Sequence, residues 1–284
     1  MKNALVTGGA GFVGTNLIKE LLRLGWNTVS VDNYSTGLKS NHQSGCTYIE
    51  YDIDNISDYS AFGNFDVIFH LAAKARIQPS FLTPYEYFNT NASATFKICQ
   101  YCSKNTIPLI YAGSSSHHSG KFKNPYTFSK DIGEDIIQLF QSNYNLNASI
   151  ARFYNVYGDY HLKVGDYCTL IGRWETAFDM NEPITIYGDG NKKRDFTHVD
   201  DIVSGLLLIY DKSSWGDVFE FGRGENFSIK QIVGMFGFKN IKYEPDKIGE
   251  AQETLCADTL AYRLLKWTPK NNIKDYIVRY VHGK

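Results

Sequence analysis

No stretch of the sequence approaches the roughly 20 apolar residues that a membrane-spanning helix needs, so no membrane partner is expected. Charge of either sign is not in excess: 29 Lys and Arg stand against 30 Asp and Glu, a net charge of -1. That balance excludes a broad electrostatic grip on nucleic acid or an anionic membrane, and an anionic ligand must be held by a few placed groups. Cysteine is sparse and odd in number, with Cys46, Cys99, Cys102, Cys168 and Cys256 scattered along the chain. Only Cys99 and Cys102 lie close together, in an apolar helical stretch with no second pair. They read as reduced thiols packed on a helix rather than half a zinc site. His-x-x-x-His spacing is absent too, and no metal site is expected. Met1-Lys2 run straight into Ala4-Leu5-Val6 and a glycine-rich turn, too short for the apolar region of a signal peptide, so a cytoplasmic protein is expected.

What is present is material for a large core: 43% of 284 residues are hydrophobic, enough for one large domain or two unequal lobes. Through the first half, short apolar runs at 4–6, 28–31, 67–69, 109–112 and 149–153 read as strands. Amphipathic stretches at 12–24, 84–103 and 125–144 read as the helices between them. Buried runs alternating with helices predict an α/β fold, a doubly wound parallel sheet with helices on both faces. Its ligand is expected across the carboxyl ends of the strands. After Asn155 the rhythm breaks into turns and shorter elements. Residues 1–155 are therefore read as the main domain and 156–284 mainly as a smaller lobe capping the cleft, with 200–221 returning to the sheet.

Where the first strand gives way to the first helix stands Thr7-Gly8-Gly9-Ala10-Gly11-Phe12-Val13-Gly14. Glycines there permit a tight turn, close approach of a pyrophosphate to backbone N–H groups, and close packing of helix on strand. A glycine turn alone is weak evidence. This one has the strand and helix context, and Asp32 ends the second strand. A carboxylate there can accept hydrogen bonds from both adenosine ribose hydroxyls and would repel a 2′-phosphate, which selects NAD over NADP.

Tyr126 and Lys130 are one helical turn apart at the start of a helix, so they share a face. A tyrosine with an ordinary pKa near 10 is a poor base at neutral pH, and a close ammonium is expected to lower it. Together with His70-Leu71-Ala72-Ala73, Asn91, Ser114-Ser115-Ser116 and Arg152-Phe153-Tyr154-Asn155-Val156-Tyr157-Gly158, these motifs resemble the extended short-chain dehydrogenase/reductases. Gly188-Asp189-Gly190, Arg194-Asp195-Phe196 and Val199-Asp200-Asp201 continue the resemblance, which runs from Leu5 to Trp267 and points to the nucleotide-sugar epimerases.

That resemblance implies a Rossmann domain, bound NAD, a nucleotide-sugar substrate, expected to be a UDP-sugar, and a homodimer built on helices 84–103 and 125–144. Tyr126 would take the sugar hydroxyl proton, Lys130 would hold the nicotinamide ribose, and Ser115 would hydrogen-bond the reacting oxygen. Gly8, Gly11, Phe12, Val13 and Gly14 would cradle the cofactor. Asp32, Asn33, Ser35, Thr36 and Gly37 would surround its adenosine ribose and phosphates. Asp52 and Ile53 would flank adenine, and Leu71, Ala72, Ala73, Asn91 and Phe153 would complete the cofactor set. In the cap, Asn155, Arg194 and Lys247 would hold the substrate diphosphate, with Thr185, Tyr187 and Glu250 near its nucleoside. Leu255 would form a sugar-pocket wall soft enough to admit a 2-acetamido group.

The segment between Ser115 and Tyr126 is shorter than in most relatives, which leaves open whether Ser114, Ser115 or Ser116 is catalytic. Lys247 stands where the family usually has Arg, and Asp159 where it usually has Pro. Relatives that dehydrate or decarboxylate carry acids just after the catalytic Ser or Thr; here Ser116, His117 and His118 follow. Epimerisation at C4 through a 4-keto sugar is therefore expected. A ketoreductase, a UDP-glucuronate epimerase and a non-catalytic dinucleotide sensor are the alternatives.

Overall fold

The computed structural model describes residues 1–56 and 58–283. The chain enters through β1 (Asn3–Thr7), turns into α1 (Phe12–Arg23), and continues through β2 (Asn27–Asp32), β3 (Cys46–Glu50) and β4 (Val67–His70). There follow α2 (Ile77–Leu82), α3 (Pro84–Phe88), α4 (Ala94–Asn105), β5 (Leu109–Ser114), α5 (Pro125–Tyr144) and β6 (Ala148–Phe153). Next come α6 (Leu170–Asp179), β7 (Ile184–Tyr187), β8 (Lys193–Asp195), α7 (Val199–Asp211) and β9 (Val218–Phe221). The chain closes with β10 (Asn226–Ser228), α8 (Ile229–Phe236), β11 (Ile241–Glu244) and α9 (Ile273–His282).

Seven parallel strands form the sheet in the order β3-β2-β1-β4-β5-β6-β9. Side chains alternate across it, as the two-residue period of a strand requires. On β1, Ala4 and Val6 join a buried cluster with Leu17 and Ile18 of α1 and Ile202 and Leu206 of α7. Leu5 points the other way, to Ile98 of α4 and Ile137 and Phe140 of α5. The expected doubly wound architecture is thus present, and α7 and β9 return to it. Strand order reverses between β1 and β4, which opens a crevice at their carboxyl ends. A third cluster, around Trp174, Ile186, Phe227 and Phe236, holds the cap elements together.

Two local choices position the site. Asn124 accepts the Thr127 N–H at 2.8 Å, and Pro125 occupies the first turn of α5, so the helix starts where Tyr126 faces the crevice. The helix expected over 84–103 contains a π-helical turn, Asn89–Ser93. There Asn91 accepts from the Lys74 N–H at 2.8 Å and donates to the Lys74 carbonyl and to Ser129 Oγ, both at 2.9 Å. This clamp fastens the loop after β4 to α5.

Candidate active site

A cavity of about 440 Å³ lies over the carboxyl ends of β1, β2, β4, β5 and β6. Gly8 has φ +73, and a Cβ there would come within 2.8 Å of the Ala72 backbone, so glycine is required. Asp32 is buried; its Oδ2 accepts the Ala10 N–H at 3.0 Å and its Oδ1 the Tyr34 N–H at 2.8 Å. Burial pushes this carboxyl above its ordinary range, against three backbone hydrogen bonds that lower it. Gly8, Gly11, Phe12, Val13, Gly14, Asp32, Asn33, Ser35, Thr36, Ile53, Leu71, Ala72, Ala73 and Phe153 all line the cavity. Gly37, Asp52 and Asn91 do not. Each instead supports a lining residue: Asp52 accepts from Asn33 at 2.9 Å, a Cβ on Gly37 would press on Asp32, and Asn91 holds Lys74. An open glycine turn beside a buried carboxylate suits a dinucleotide with a free ribose 2′-hydroxyl.

Tyr126 and Lys130 line the same cavity. Tyr126 donates to Ser114 Oγ at 3.1 Å, one of the serines that the sequence left open beside Ser115. The reason is local: Ser114 ends β5 and accepts the Ser116 N–H, so its hydroxyl stands at the strand end facing α5. Ser115 also lines the cavity. The electrostatics also differ from expectation. Burial pushes the Tyr126 phenol up; the Ser114 hydrogen bond and the Arg76 charge pull it down, while Asp131 and Glu134 push it up. Lys130 is itself drawn down to about 7 by burial, with Glu134 opposing, and its Nζ sits 4.1 Å from the Tyr111 ring centre. The cation that lowers Tyr126 is therefore Arg76.

From the cap, Asn155, Arg194 and Glu250 reach the cavity. Asn155, at φ 32, donates to the Asp195 carbonyl at 2.8 Å and to Thr254 Oγ1 at 3.0 Å. Arg194 Nη2 lies 3.5 Å from Glu250 Oε2. Thr185, Tyr187, Lys247 and Leu255 stand outside the lining. Lys247 Nζ rests 3.7 Å from the Tyr187 ring centre, and Leu255 is 46% exposed. Arg76, Tyr167, Thr169, Ala251 and Thr254 line the cavity and were not foreseen. They lie in loops whose residues follow no period.

His117 and His118, both partly open to solvent, cap a set of buried carboxylates. His117 Nδ1 lies 3.0 Å from Asp131 Oδ1, and His118 Nε2 lies 2.9 Å from Glu220 Oε1. Arg152 joins both ends, at 2.6 Å from Glu134 and 2.9 Å from Glu220. His117, Asp131 and Glu134 also bring ligand-type atoms within 4.8 Å of one another, a cluster that the search for His-x-x-x-His spacing overlooked. The Arg152 guanidinium already occupies the Glu134 carboxylate, a charge that works against a dication there.

The model of the NAD dependent epimerase/dehydratase family matches residues 4–222. A putative UDP-glucose 4-epimerase of Methanocaldococcus jannaschii is 27% identical over 303 aligned positions, covering 98% of this chain and 97% of its own. The structure of Thermotoga maritima UDP-glucose 4-epimerase with UDP-glucose is similar at a TM-score of 0.92 and 25% identity, covering 99% of this chain and 97% of that one. Bacillus cereus UDP-glucuronic acid 4-epimerase, solved with UDP-glucuronic acid and NAD, gives 0.88 and 25%, covering 99% of both chains. A match across that much of the sequence, on a sheet whose switch point carries the glycine turn, places this chain in the NAD dependent epimerase/dehydratase family.

Proposed function

We propose that this chain is an NAD-dependent epimerase that inverts a nucleotide sugar, a UDP-sugar by similarity to its relatives, at C4. The observation that carries the reading is the Tyr126 phenol bonded to Ser114 Oγ at 3.1 Å inside the cavity that also holds the glycine turn and Asp32. NAD, when bound, accepts the C4 hydride and returns it. Tyr126 takes the proton of the 4-hydroxyl and gives it back, while Ser114 Oγ orients that oxygen. Lys130 would hold the nicotinamide ribose, and Asp32 the adenosine ribose. Asn155 and Arg194 would keep the diphosphate fixed while the 4-keto sugar turns its other face. The positions after Ser114 carry no carboxylate, which favours epimerisation over dehydration.

In this reading residues 1–155 with 200–221 hold the cofactor, and 156–284 mainly hold the substrate. The protein works as a cytoplasmic homodimer through α3, α4 and α5, where Phe88, Phe96 and Leu139 are more than 40% exposed. Among the described residues no helix is long and apolar enough to cross a membrane. The test is interconversion of UDP-glucose and UDP-galactose, or of the corresponding uronates, with catalytic NAD. Tyr126→Phe should lower turnover by about 10²- to 10⁴-fold and leave NAD binding largely intact. Full turnover by that variant would sink the assignment.

A further inference from the structure

Arg76 departs from its surroundings in two ways. It is an arginine at φ 128 and ψ 135, a backbone conformation that L side chains rarely adopt and that strains any residue but glycine. Its guanidinium also lies within the cavity without a carboxylate within ion-pairing distance among the described residues. The Tyr167 carbonyl accepts from Nε at 3.2 Å and from Nη2 at 2.9 Å. A neutral acceptor fixes the guanidinium's orientation, and the Glu250 carboxylate acts on its charge only at longer range. A half-buried cation without a contacting counter-ion is costly, and burial already draws this guanidinium below its ordinary range.

The contacts of Tyr167 show which part of the cavity Arg76 serves. Tyr167 Oη lies 3.1 Å from Tyr87 Oη, and the Tyr87 ring packs edge-on against Tyr126 at 6.3 Å. Arg76 therefore stands at the reacting end, beside the proposed base. Arg194 comes from the cap side of the cavity, where it is paired with Glu250. A neutral hexose would leave the Arg76 charge without a contacting partner. A planar carboxylate supplies one, because the guanidinium N–H groups that Tyr167 leaves free can donate to its oxygens.

We propose that Arg76 determines specificity by binding a carboxylate on the sugar ring, so that the preferred substrate is a nucleotide-linked uronic acid rather than a neutral sugar. This rests on the epimerase reading above for the reaction, though not for the binding. The strained backbone at Arg76 is held by what surrounds it: α2 begins at the next residue, Gln78 donates to the Ile248 carbonyl at 2.9 Å, and Phe81 packs against Gly249. The cap loop thereby keeps the guanidinium aimed into the cavity.

The test measures both binding and turnover with the NAD-loaded protein. UDP-glucuronate and UDP-glucose are titrated calorimetrically and assayed for C4 inversion, using wild type, Arg76→Gln, Arg76→Lys and Arg76→Gly. Wild type is expected to prefer the uronate in both measurements. Arg76→Gln should shift the uronate-to-glucose ratio of kcat/KM by about 10²-fold towards glucose, the usual consequence of unpairing a buried charge, and Arg76→Lys should restore part of it. Arg76→Gly relieves the backbone strain, so its Tm should not fall; it supplies the same reading if the glutamine variant does not fold. Equal affinity of wild type for the two sugars overturns the proposal, as does an equal loss for both in the variants, which would assign Arg76 to the diphosphate. A binding preference that the variants abolish, without turnover of either sugar, supports Arg76 as the carboxylate site and counts against epimerisation.

Discussion

Ser114 and Ser115 are adjacent, yet the strand alternation gives them different surroundings, and this is measurable. Ser114→Ala removes the hydroxyl that accepts from Tyr126, so turnover should fall by about 10-fold or more, as for loss of one oriented hydrogen bond at a reacting group. Ser115→Ala should cost less; the reverse order would return the role to Ser115. Lys130 carries a pH consequence. Its folded pKa of about 7 lies below the ordinary lysine value near 10.5, so between those values the unfolded chain binds more protons. Stability of the NAD-free protein should therefore rise as pH increases above about 7, by up to ~1.4 kcal/mol per unit from this group. Chemical denaturation of wild type and Lys130→Met between pH 7 and 9.5 checks it: the variant should lose that part of the slope. A slope unchanged by the substitution would show that Lys130 is charged in the folded protein throughout.

At the scale of elements, the exposed aromatic face of the paired helices makes its own prediction. Ile137 and Phe140 of α5 are buried, while Phe96, whose ring meets Phe140 edge-on, is 42% exposed and Leu139 46% exposed. If a second copy covers them, light scattering gives a dimer at micromolar concentration, and Phe96→Glu converts it to a monomer with its Tm largely kept. A monomeric wild type would refute that arrangement. These helices were legible in the sequence because their period is clean and α5 opens on Asn124-Pro125, a cap and a first-turn proline. The π-helical turn was not, since Asn91 breaks the hydrogen-bond ladder without breaking the apolar pattern. Strand β3 escaped notice because it is an edge strand with no fully buried residue. In the cap, β7 and β11 pair only with each other, and the loop from Asp246 to Asp258 has no period to fix its register. Of the cap residues expected at the substrate, Arg194 and Glu250 line the cavity, whereas Thr185, Tyr187, Lys247 and Leu255 stand outside its lining. Arg76 carried a signal that went unread: a long cation directly after Ala72-Ala73-Lys74-Ala75, where the chain must turn tightly against the cofactor loop.

For the whole molecule, function depends on two parts of one chain meeting over the strand ends, and the seventh strand states the condition for that meeting. The chain leaves the sheet at Phe153, builds α6, β7 and β8, and comes back only at Val218 to pair with Ile150. During synthesis at about 5–20 residues per second, β6 is an open edge for several seconds, with the apolar face that α7 will cover still bare. A nascent chain halted in that interval has every residue of the glycine turn, Tyr126 and Lys130, yet an unfinished sheet behind them. The order of the genetic message thus withholds a complete sheet until the first cap residues that line the cavity have already been made.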